Sequence, residues 1–238
     1  MQKILSYMRK AIEEFDMIQE GDKIAIGLSG GKDSLTLLLA LHKLKTFFNK
    51  NFEILAISID PGFDTFNVDY CTNLCNELGV TYIVKKTDIK EIVFDIREEK
   101  NPCSLCANLR RGILNSVAIE NNCNKIALGH NQDDVLETFL LNLLYTGSIH
   151  TFSPKTFMDR SEVTLIRPLV FTNEKYIRSF VKKNNIITMN KCCPMDGFSK
   201  REDMKTLIKT LTLSIPTVRA NLFGAIKRSS IQGWTKDN

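Results

Sequence analysis

Three segments of this 238-residue chain carry side chains that can do chemistry. The first is SGGKDS at residues 29–34, which combines two glycines with a lysine, an aspartate and two serines. The second is a CxxC pair at residues 103–106, followed much later by a cysteine doublet at 192–193. The third is GHNQDD at residues 129–134, which sets a histidine beside two adjacent carboxylates. These residue types suit phosphate binding, metal or sulfur chemistry, and the holding of a cation.

The SGGKDS segment has the composition of a phosphate-binding loop. Glycines let backbone N–H groups close around an anion, and a helix that follows adds further donors and a favourable dipole. Lys32 supplies a cation, whereas Asp33 beside a phosphate requires a bridging Mg²⁺. The spacing is neither that of a Walker A loop nor that of a dinucleotide fingerprint. An ordinary Gly-Gly turn is the alternative, and the whole hexapeptide between a strand and a helix disfavours it.

The cysteines admit several interpretations. A CxxC pair can be a redox dithiol, half of a zinc site, or two ligands of an iron–sulfur cluster. A doublet such as Cys192 and Cys193 points its side chains apart in an extended backbone, so we expect only one of them at the site. Three thiolates would leave one position open on a metal, which suits chemistry better than a structural role. We expect the remaining cysteines, Cys71, Cys75 and Cys123, to be buried structural residues.

Strands and helices alternate along most of the chain, which predicts a parallel sheet covered by helices on both faces. We therefore expect an α/β fold, doubly wound, with about five parallel strands, an N-terminal helix and a helical C-terminal region. Ligands bind such sheets at the carboxyl ends of the strands, where both SGGKDS and GHNQDD lie. The predicted strands are 23–28, 52–59, 80–85, 125–128 and 163–166, and the predicted helices are 4–15, 35–44, 68–78, 104–120 and 133–145.

The charge is distributed unevenly. Residues 1–174 carry 19 Lys+Arg and 23 Asp+Glu, a net charge of −4, whereas residues 175–238 carry 13 and 4, a net charge of +9. We predict a catalytic domain over 1–174 and a basic, mostly helical extension over 175–238. A basic extension indicates a polyanionic partner such as nucleic acid, although a solvated lysine-rich face would have the same composition.

Membrane and secreted classes are disfavoured. No apolar run approaches the roughly 18 residues that a membrane span needs. The first residues contain acids and no continuous apolar stretch, unlike a signal peptide. We therefore expect a cytoplasmic protein, in which seven cysteines point to metal or catalytic use before disulfides.

The motifs resemble those of a known superfamily. SGGKDS resembles the PP-loop of the N-type ATP pyrophosphatases, which cleave ATP between its α and β phosphates and adenylate a substrate. PCSLCANLRRG, KIALGHNQDDVLETFLLNLLYTG, LIRPL and a late cysteine before a glycine are similar to the tRNA 2-thiocytidine synthetase (TtcA) family. The resemblance runs to about residue 200. GHNQDD departs from the usual form of this motif in the family, which carries two histidines. The C-terminal tail of this chain is also short.

The resemblance implies ATP-dependent tRNA thiolation, in which O2 of cytidine 32 is adenylated and then replaced by sulfur. The sulfur would be carried either on the open iron of an iron–sulfur cluster or as a persulfide on Cys106 or Cys193. It implies ATP, Mg²⁺, a [4Fe–4S] cluster and tRNA, with zinc or an empty cluster site in an aerobic sample. It also implies a sulfur donor, such as a cysteine desulfurase or free sulfide, and it allows a homodimer. The alternatives are another PP-loop tRNA-modifying ligase, such as a lysidine-type enzyme, and a non-catalytic nucleotide-binding or zinc-binding protein.

The resemblance also implies residue roles. The cluster ligands would be Cys103, Cys106 and Cys193, with Cys192 as the alternative to the last, and Asp33 would bind Mg²⁺. The catalytic set would be Cys103, Cys106, Cys193, Asp33, His130 and Asp133. The nucleotide-binding set would be Ser29, Gly30, Gly31, Lys32, Asp33, Ser34, Ile57, Ser58, Asp60, Gly129 and Asp134. The positive charge, apart from the resemblance, predicts RNA contacts at Arg110, Arg111, Arg167, Lys182, Lys183, Lys200 and Arg201. For the first three, contact with a phosphate of the nucleotide or ordinary surface ion pairing is the alternative.

Overall fold

The computed structural model describes residues 1–63, 66–97, 102–189 and 200–234. Its strands are β1 (Asp22–Gly27), β2 (Phe52–Asp60), β3 (Thr81–Lys86), β4 (Lys125–Ala127), β5 (Lys155–Met158) and β6 (Val163–Ile166). Its helices are α1 (Gln2–Glu14), α2 (Lys32–Leu44), α3 (Asp69–Glu77), α4 (Pro102–Glu120), α5 (Gln132–Thr146), α6 (Glu174–Lys183), α7 (Lys200–Ser214) and α8 (Val218–Arg228), with a π-helical turn at Glu91–Ile96.

The strands form one sheet in the order β3-β2-β1-β4-β6-β5. All neighbouring strands are parallel except β5, which is antiparallel to β6. Successive residues of the central strand β1 face opposite sides. Ile24 and Ile26 belong to one buried cluster and Ala25 to another. The sheet is therefore covered on both faces, and the predicted doubly wound α/β fold is confirmed.

The edge strand β5 was not predicted from the sequence. It has four residues, and the side chain of Phe157 in its middle is exposed. In a strand of four residues whose side chains do not alternate between buried and exposed, the sequence has no recognisable two-residue period. Its backbone pairs Lys155 with Ile166 and Met158 with Val163. The position of β5 therefore depends on pairing with β6 and not on a pattern of its own.

The C-terminal helices pack on the helices that cover one face of the sheet. Helix α6 packs against α1 and α2, whereas α7 and α8 pack against α5. Rings from both ends of the chain meet there, with the Trp234 ring 5.9 Å from Phe15 and 5.6 Å from Phe223. The division into domains at residue 174 stays a prediction.

None of the helices in the described ranges is long and apolar enough to cross a membrane. The carboxyl ends of β1, β4 and β6 lie side by side at one edge of the sheet. The segments that follow these strands carry SGGKDS, GHNQDD and Arg167 to that edge.

Candidate functional site

The loop between β1 and α2 folds around its own serines. Ser34 donates from Oγ to the Gly31 carbonyl at 3.0 Å and accepts from the Ser29 N–H at 3.2 Å. Gly30 has a φ of +71°, a left-handed conformation that glycine adopts without strain. Gly31 is the N-cap of α2, and no side chain caps this helix. The N–H groups of its first turn are therefore available to an anion.

Charged side chains surround this loop. Lys32 Nζ lies 2.6 Å from Asp33 Oδ2 and 2.9 Å from Oε1 of Glu174, the first residue of α6. Burial opposes the charge on Lys32, but the two carboxylates raise its pKa above the ordinary value. Burial would also raise the pKa of Glu174, but hydrogen bonds from Arg178 and Lys32 lower it to about 2. The lysine of the loop is thus held between two carboxylates.

The GHNQDD segment packs directly against the start of α2. A Cβ atom at Gly129 would lie 2.9 Å from the Asp33 carbonyl carbon, so only glycine fits there. Asn131 is the N-cap of α5, and its side chain accepts hydrogen bonds from the N–H groups of Asp133 and Asp134. The same side chain donates to Asp33 Oδ1 at 3.0 Å.

Both carboxylates of this segment have partners inside the fold. Asp134 accepts from the Asn131 N–H at 2.8 Å and lies 3.7 Å from Arg201 Nη1. Asp133 is buried, accepts from the Glu174 N–H at 2.8 Å, and accepts a short hydrogen bond from Arg219. Asp133 therefore joins α5 to the C-terminal helices, whereas Asp33 lies in the loop itself. The predicted catalytic role of Asp133 stays a prediction.

A cavity of about 270 Å³ opens beside the loop, between the carboxyl ends of the strands and α4. Its walls are mostly apolar, and Ser29 of the loop forms part of its lining. Small-molecule sites typically measure ~300–1,000 Å³ and combine apolar walls with a few polar groups. The lining residues are Gly27, Leu28, Ser29, Ile57, Ile59, Phe66, Ala107, Arg110, Arg111, Leu114, Leu128 and His130.

The three predicted nucleotide neighbours on β2 differ in position. Ile57 lines the cavity. Ser58 is 1% exposed, and its hydroxyl donates to the Leu28 carbonyl and accepts from the Tyr82 hydroxyl at 2.7 Å. Asp60 accepts from the Gly62 N–H at 2.9 Å. Ser58 and Asp60 therefore stabilise the end of β2, and their contact with a nucleotide stays a prediction.

The cysteines of the CxxC pair lie on the first turn of α4. Cys103 is exposed and Cys106 is half-buried. Cys103 precedes the cavity-lining Ala107 by four residues, and Cys106 precedes Arg110 by four, so both lie on the helix face that lines the cavity. The predicted third ligand, Cys193, and its alternative, Cys192, lie outside the described residues.

The other cysteines are buried, as predicted. Cys71 and Cys75 face the core from α3, and burial raises the pKa of each thiol to about 11. Cys123 is buried beside β4, and burial raises its pKa as well. Within the described ranges, no group of three or more His, Cys, Asp or Glu side chains is arranged to hold a metal ion.

His130 lines the cavity and is paired with the buried Arg167. Arg167 donates from Nε to His130 Nδ1 at 3.2 Å and from Nη1 to the Ser153 carbonyl. Its guanidinium lies 4.9 Å from the centre of the Phe152 ring, which also packs on His130 at 5.0 Å. Burial, and then the Arg111 charge, lower the pKa of Arg167 to about 10.

The remaining predicted RNA contacts differ in exposure. Lys182 and Lys183 are exposed at the end of α6. Lys200 and Arg201 are exposed at the start of α7, where Lys200 Nζ lies 4.5 Å from the Tyr145 ring and Arg201 donates to Thr138 Oγ1 at 2.9 Å. Arg167, by contrast, is only 8% exposed.

Several site residues were missed by the sequence analysis. Asn131 could have been found, because an Asn before two acidic residues and an apolar helix is an N-cap signal. Glu174 carries no local signal, since it meets Lys32 only when α6 packs beside the loop. The apolar lining residues also lack a signal that separates them from the core, and they include Phe66, Leu114 and Leu128.

Comparison with known proteins identifies the family of the chain. The model of a family described as the PP-loop domain matches residues 2–190. The tRNA-cytidine(32) 2-sulfurtransferase of Citrifermentans bemidjiense is 40% identical over 227 residues, which cover 94% of this chain and 89% of the relative. The enzyme of the same name from Geotalea uraniireducens is 40% identical over 230 residues, with coverage of 94% and 90%.

Solved structures share the fold. The U34-tRNA thiolase NcsA from Methanococcus maripaludis, with its [4Fe–4S] cluster, superposes with a TM-score of 0.74 at 26% identity, over 92% of this chain and 76% of that one. An NH3-dependent NAD synthetase from Campylobacter jejuni has a TM-score of 0.52 at 17% identity, over 100% of this chain and 97% of that one, and shares the fold alone. By the family model and these relatives, the chain belongs to the PP-loop domain family and, within it, to the tRNA-cytidine(32) 2-sulfurtransferases.

Proposed function

We propose that this protein is an ATP-dependent tRNA thiolase that converts cytidine 32 to 2-thiocytidine. One observation carries the proposal. A single cavity is lined on one side by the SGGKDS loop and on another by the face of α4 that begins with the CxxC pair. The helix that begins with the pair of thiols thus lines the same cavity as the phosphate-binding loop. This is what a reaction needs if it first activates an oxygen with ATP and then replaces it with sulfur.

The activation step uses the loop. The cytidine O2 attacks the α phosphate of ATP, pyrophosphate leaves, and the adenylated oxygen becomes a good leaving group. The uncapped N–H groups of α2 and the Lys32 ammonium would bind phosphate oxygens. Asp33 would hold Mg²⁺, because its carboxylate lies in the loop and is oriented by Asn131. Lys32 would exchange its Glu174 partner for a phosphate when ATP binds.

The cavity would receive the adenosine of ATP. Apolar side chains from β2, β4 and α4 suit a purine ring, and Ile57, Leu114 and Leu128 form these walls. Ser29 belongs both to the loop and to the cavity, so the phosphates and the nucleoside would be joined there. Arg110 and Arg111 line the same cavity and supply positive charge near the α phosphate.

The sulfur step uses the thiols. Cys103 and Cys106 are one helical turn apart on one face of α4, a donor set that fits an iron–sulfur cluster. When bound, a [4Fe–4S] cluster with one iron free of protein ligands supplies a place to carry sulfur. The third ligand in this proposal is Cys193, which follows Met189 by four residues. The Met189 N–H donates to the Gly30 carbonyl at 2.9 Å, so Met189 itself lies at the loop.

The basic side chains at the ends of α6 and α7 would bind the tRNA backbone. Lys182, Lys183 and Lys200 are exposed, and in this proposal they contact phosphates together with Arg201. Affinity for tRNA should then fall steeply with salt. The target base must leave the stack to reach the cavity, which a single-stranded anticodon loop permits at low cost. We further propose that a cysteine desulfurase or free sulfide donates the sulfur, that the protein forms a homodimer, and that it is located in the cytoplasm.

Mass spectrometry of tRNA nucleosides from a deletion strain tests the proposal. We expect 2-thiocytidine to disappear on deletion and to return when the wild-type gene is supplied. Genes with Cys103→Ser or Cys106→Ser should fail to restore it, whereas Cys123→Ser should restore it as a matched control. Loss of another thionucleoside would correct the target. An unchanged 2-thiocytidine level would overturn the proposal, as would full activity of Cys103→Ser.

A further inference from the structure

His130 offers the cavity one polar hydrogen at most. Its ring lines the cavity, and Nδ1 accepts the hydrogen bond from Arg167 Nε. A guanidinium nitrogen carries only hydrogens and cannot accept, so Nδ1 must present a lone pair. A neutral imidazole whose Nδ1 is an acceptor carries its hydrogen on Nε2. The pair therefore determines the tautomer of His130.

The surroundings of His130 exclude its charged form. An imidazolium would direct an Nδ1–H at the Arg167 N–H and would bring two positive charges together. Burial, followed by the charges of Arg167, Arg201 and Arg111, lowers the pKa of His130 to about 3. These arginines come from three different elements, because Arg111 lies on α4, Arg201 on α7 and Arg167 after β6.

The same arginines indicate the charge of the ligand. Arg111 and Arg167 have no ion pair with a carboxylate in the part of the chain that the structure describes. Positive charge near a cavity without a protein counter-ion favours an anionic occupant. The cavity is also continuous with Ser29 of the phosphate-binding loop. An anionic phosphate oxygen is therefore the acceptor that these groups fit.

We propose that Arg167 is a positioning residue that holds His130 as a neutral Nε2–H donor, and that His130 donates this hydrogen to a phosphate oxygen of the bound nucleotide. This inference rests on the proposed function, since the nucleotide is ATP or the adenylated intermediate. No proton is transferred in this role. His130 stays neutral through the reaction and stabilises charge on the α phosphate as the bond to pyrophosphate breaks. Arg167 acts inside the site and does not bind the RNA backbone.

Nitrogen NMR of protein labelled with ¹⁵N-histidine tests the tautomer without any need for activity. The chain has only three histidines, so His42→Gln and His150→Gln variants assign the signals. We expect His130 to have an unprotonated Nδ1 and a protonated Nε2 at every pH from 8 to 5. The exposed His150, outside the cavity lining, serves as an internal reference signal. An Nδ1–H signal from His130, or titration of His130 between pH 7 and 5, would overturn the inference. This outcome needs only the wild-type protein and no Arg167 variant.

Variants of Arg167 test the positioning role. In Arg167→Met we expect His130 to lose its single tautomer and to titrate at a higher pH than in the wild type. Arg167→Lys keeps the positive charge and can donate to Nδ1 through its ammonium group, so as the conservative variant it should favour the same tautomer. The amide spectrum reports whether each variant is folded. A folded Arg167→Met protein with the wild-type His130 signals would contradict the role of Arg167.

Thiolation kinetics test the donor. His130→Gln keeps an N–H donor near the position of Nε2, whereas His130→Phe keeps the ring shape and removes the donor. We expect kcat to fall roughly 10- to 100-fold in His130→Phe, as for loss of a hydrogen bond to a charged group, and to recover largely in His130→Gln. The acid limb of the pH profile should be the same in His130→Gln and the wild type. Equal activity of both variants would overturn the donor role, and absence of thiolation in the wild type would overturn only the proposed function.

Discussion

The Asn131 side chain donates from Nδ2 to Oδ1 of Asp33 at 3.0 Å, and its Oδ1 caps helix α5. One side chain of GHNQDD thus begins helix α5 and also orients the carboxylate of SGGKDS. The two motifs lie about 100 residues apart in the chain and meet through this amide. Asp33 is the residue we expect to hold Mg²⁺, so Asn131 positions a metal ligand.

Two substitutions of Asn131 separate these roles. Asn131→Ala should lower the free energy of unfolding by about 1 kcal/mol, because a helix cap is lost, and should raise the KM for ATP several-fold. Asn131→Ser keeps a capping oxygen but cannot reach Asp33, so it should retain wild-type stability while its KM rises. Urea unfolding and steady-state pyrophosphate release measure the two effects. A wild-type KM in Asn131→Ser would mean that the contact with Asp33 has no part in ATP binding.

The sequence predicted those features of the site that depend on local pattern. Apolar strands followed by SGGKDS and GHNQDD were enough to place both motifs at one edge of a parallel sheet, and the structure confirms that edge. The predicted helix 104–120 also placed the CxxC pair at the start of α4. A period of 2.0 or 3.6 residues specifies which side chains share a face, without knowledge of the partner element.

Partners distant in the chain were not predictable in the same way. Asp133 contacts Arg219, which lies 86 residues further along, and Arg167 contacts His130 across 37 residues. From the sequence alone, each of these side chains could equally lie on the surface. Their partners become identifiable only when the packing of α8 and of the end of β6 is known. Arg167 was for this reason expected to contact RNA, whereas the structure buries it beside His130.

Glu174→Gln should destabilise the protein at neutral pH. The pKa of Glu174 is about 2 in the folded protein, below its ordinary value of 4.5, because Arg178 and Lys32 hold the charged form against the effect of burial. The unfolded chain therefore binds more protons between pH 4.5 and 2, and the stabilisation is present above pH 4.5 and is lost as the pH falls toward 2. We expect a loss on the order of 2 kcal/mol at pH 7, which shrinks toward zero in acid.

Urea unfolding at pH 7 and at pH 3 measures this dependence. Glu202→Gln is the matched control, since Glu202 is an exposed glutamate at the start of the neighbouring α7. It should change stability by less than about 0.5 kcal/mol at either pH. An equal loss at both pH values in Glu174→Gln would indicate a packing defect in place of a charge effect.

Glu137→Gln should stabilise the folded protein at high pH, whereas Glu174→Gln should destabilise it. Glu137 is buried on α5, and burial, followed by the charge of Asp134, raises its pKa to about 7. Between pH 4.5 and 7 the folded protein holds a proton that the unfolded chain has released, so stability falls as the pH rises across this window. The variant cannot ionise and should be more stable than the wild type above pH 7, by on the order of 2 kcal/mol.

The difference between Glu137→Gln and the wild type should shrink toward zero as the pH falls below 4.5, because the wild-type carboxyl then becomes neutral in the unfolded chain as well as in the folded protein. Urea unfolding at pH 5 and pH 8 tests it, with Glu120→Gln at the exposed end of α4 as a control that changes neither value. A variant less stable than the wild type at pH 8 would show that the ionised carboxylate stabilises this position.

The cysteines should differ in their reaction with iodoacetamide. Cys103 is exposed at the start of α4, whereas burial holds the pKa of Cys71 and Cys75 at about 11 and also blocks access to them. The thiolate is the reactive form, and a pKa raised by two units lowers its fraction about 100-fold near neutral pH. In metal-free protein at pH 8 we expect Cys103 to react at least 100-fold faster than Cys71, as measured by peptide mass spectrometry over time.

Two controls make this measurement decisive for the cluster as well. In urea all these thiols should react at similar rates, because the fold alone separates them. After reconstitution with iron and sulfide, Cys103 should become protected while the slow rate of Cys71 stays the same, since only a ligand loses its thiolate to the metal. Protection of neither cysteine after iron incorporation would place the cluster elsewhere and would remove Cys103 from its ligands.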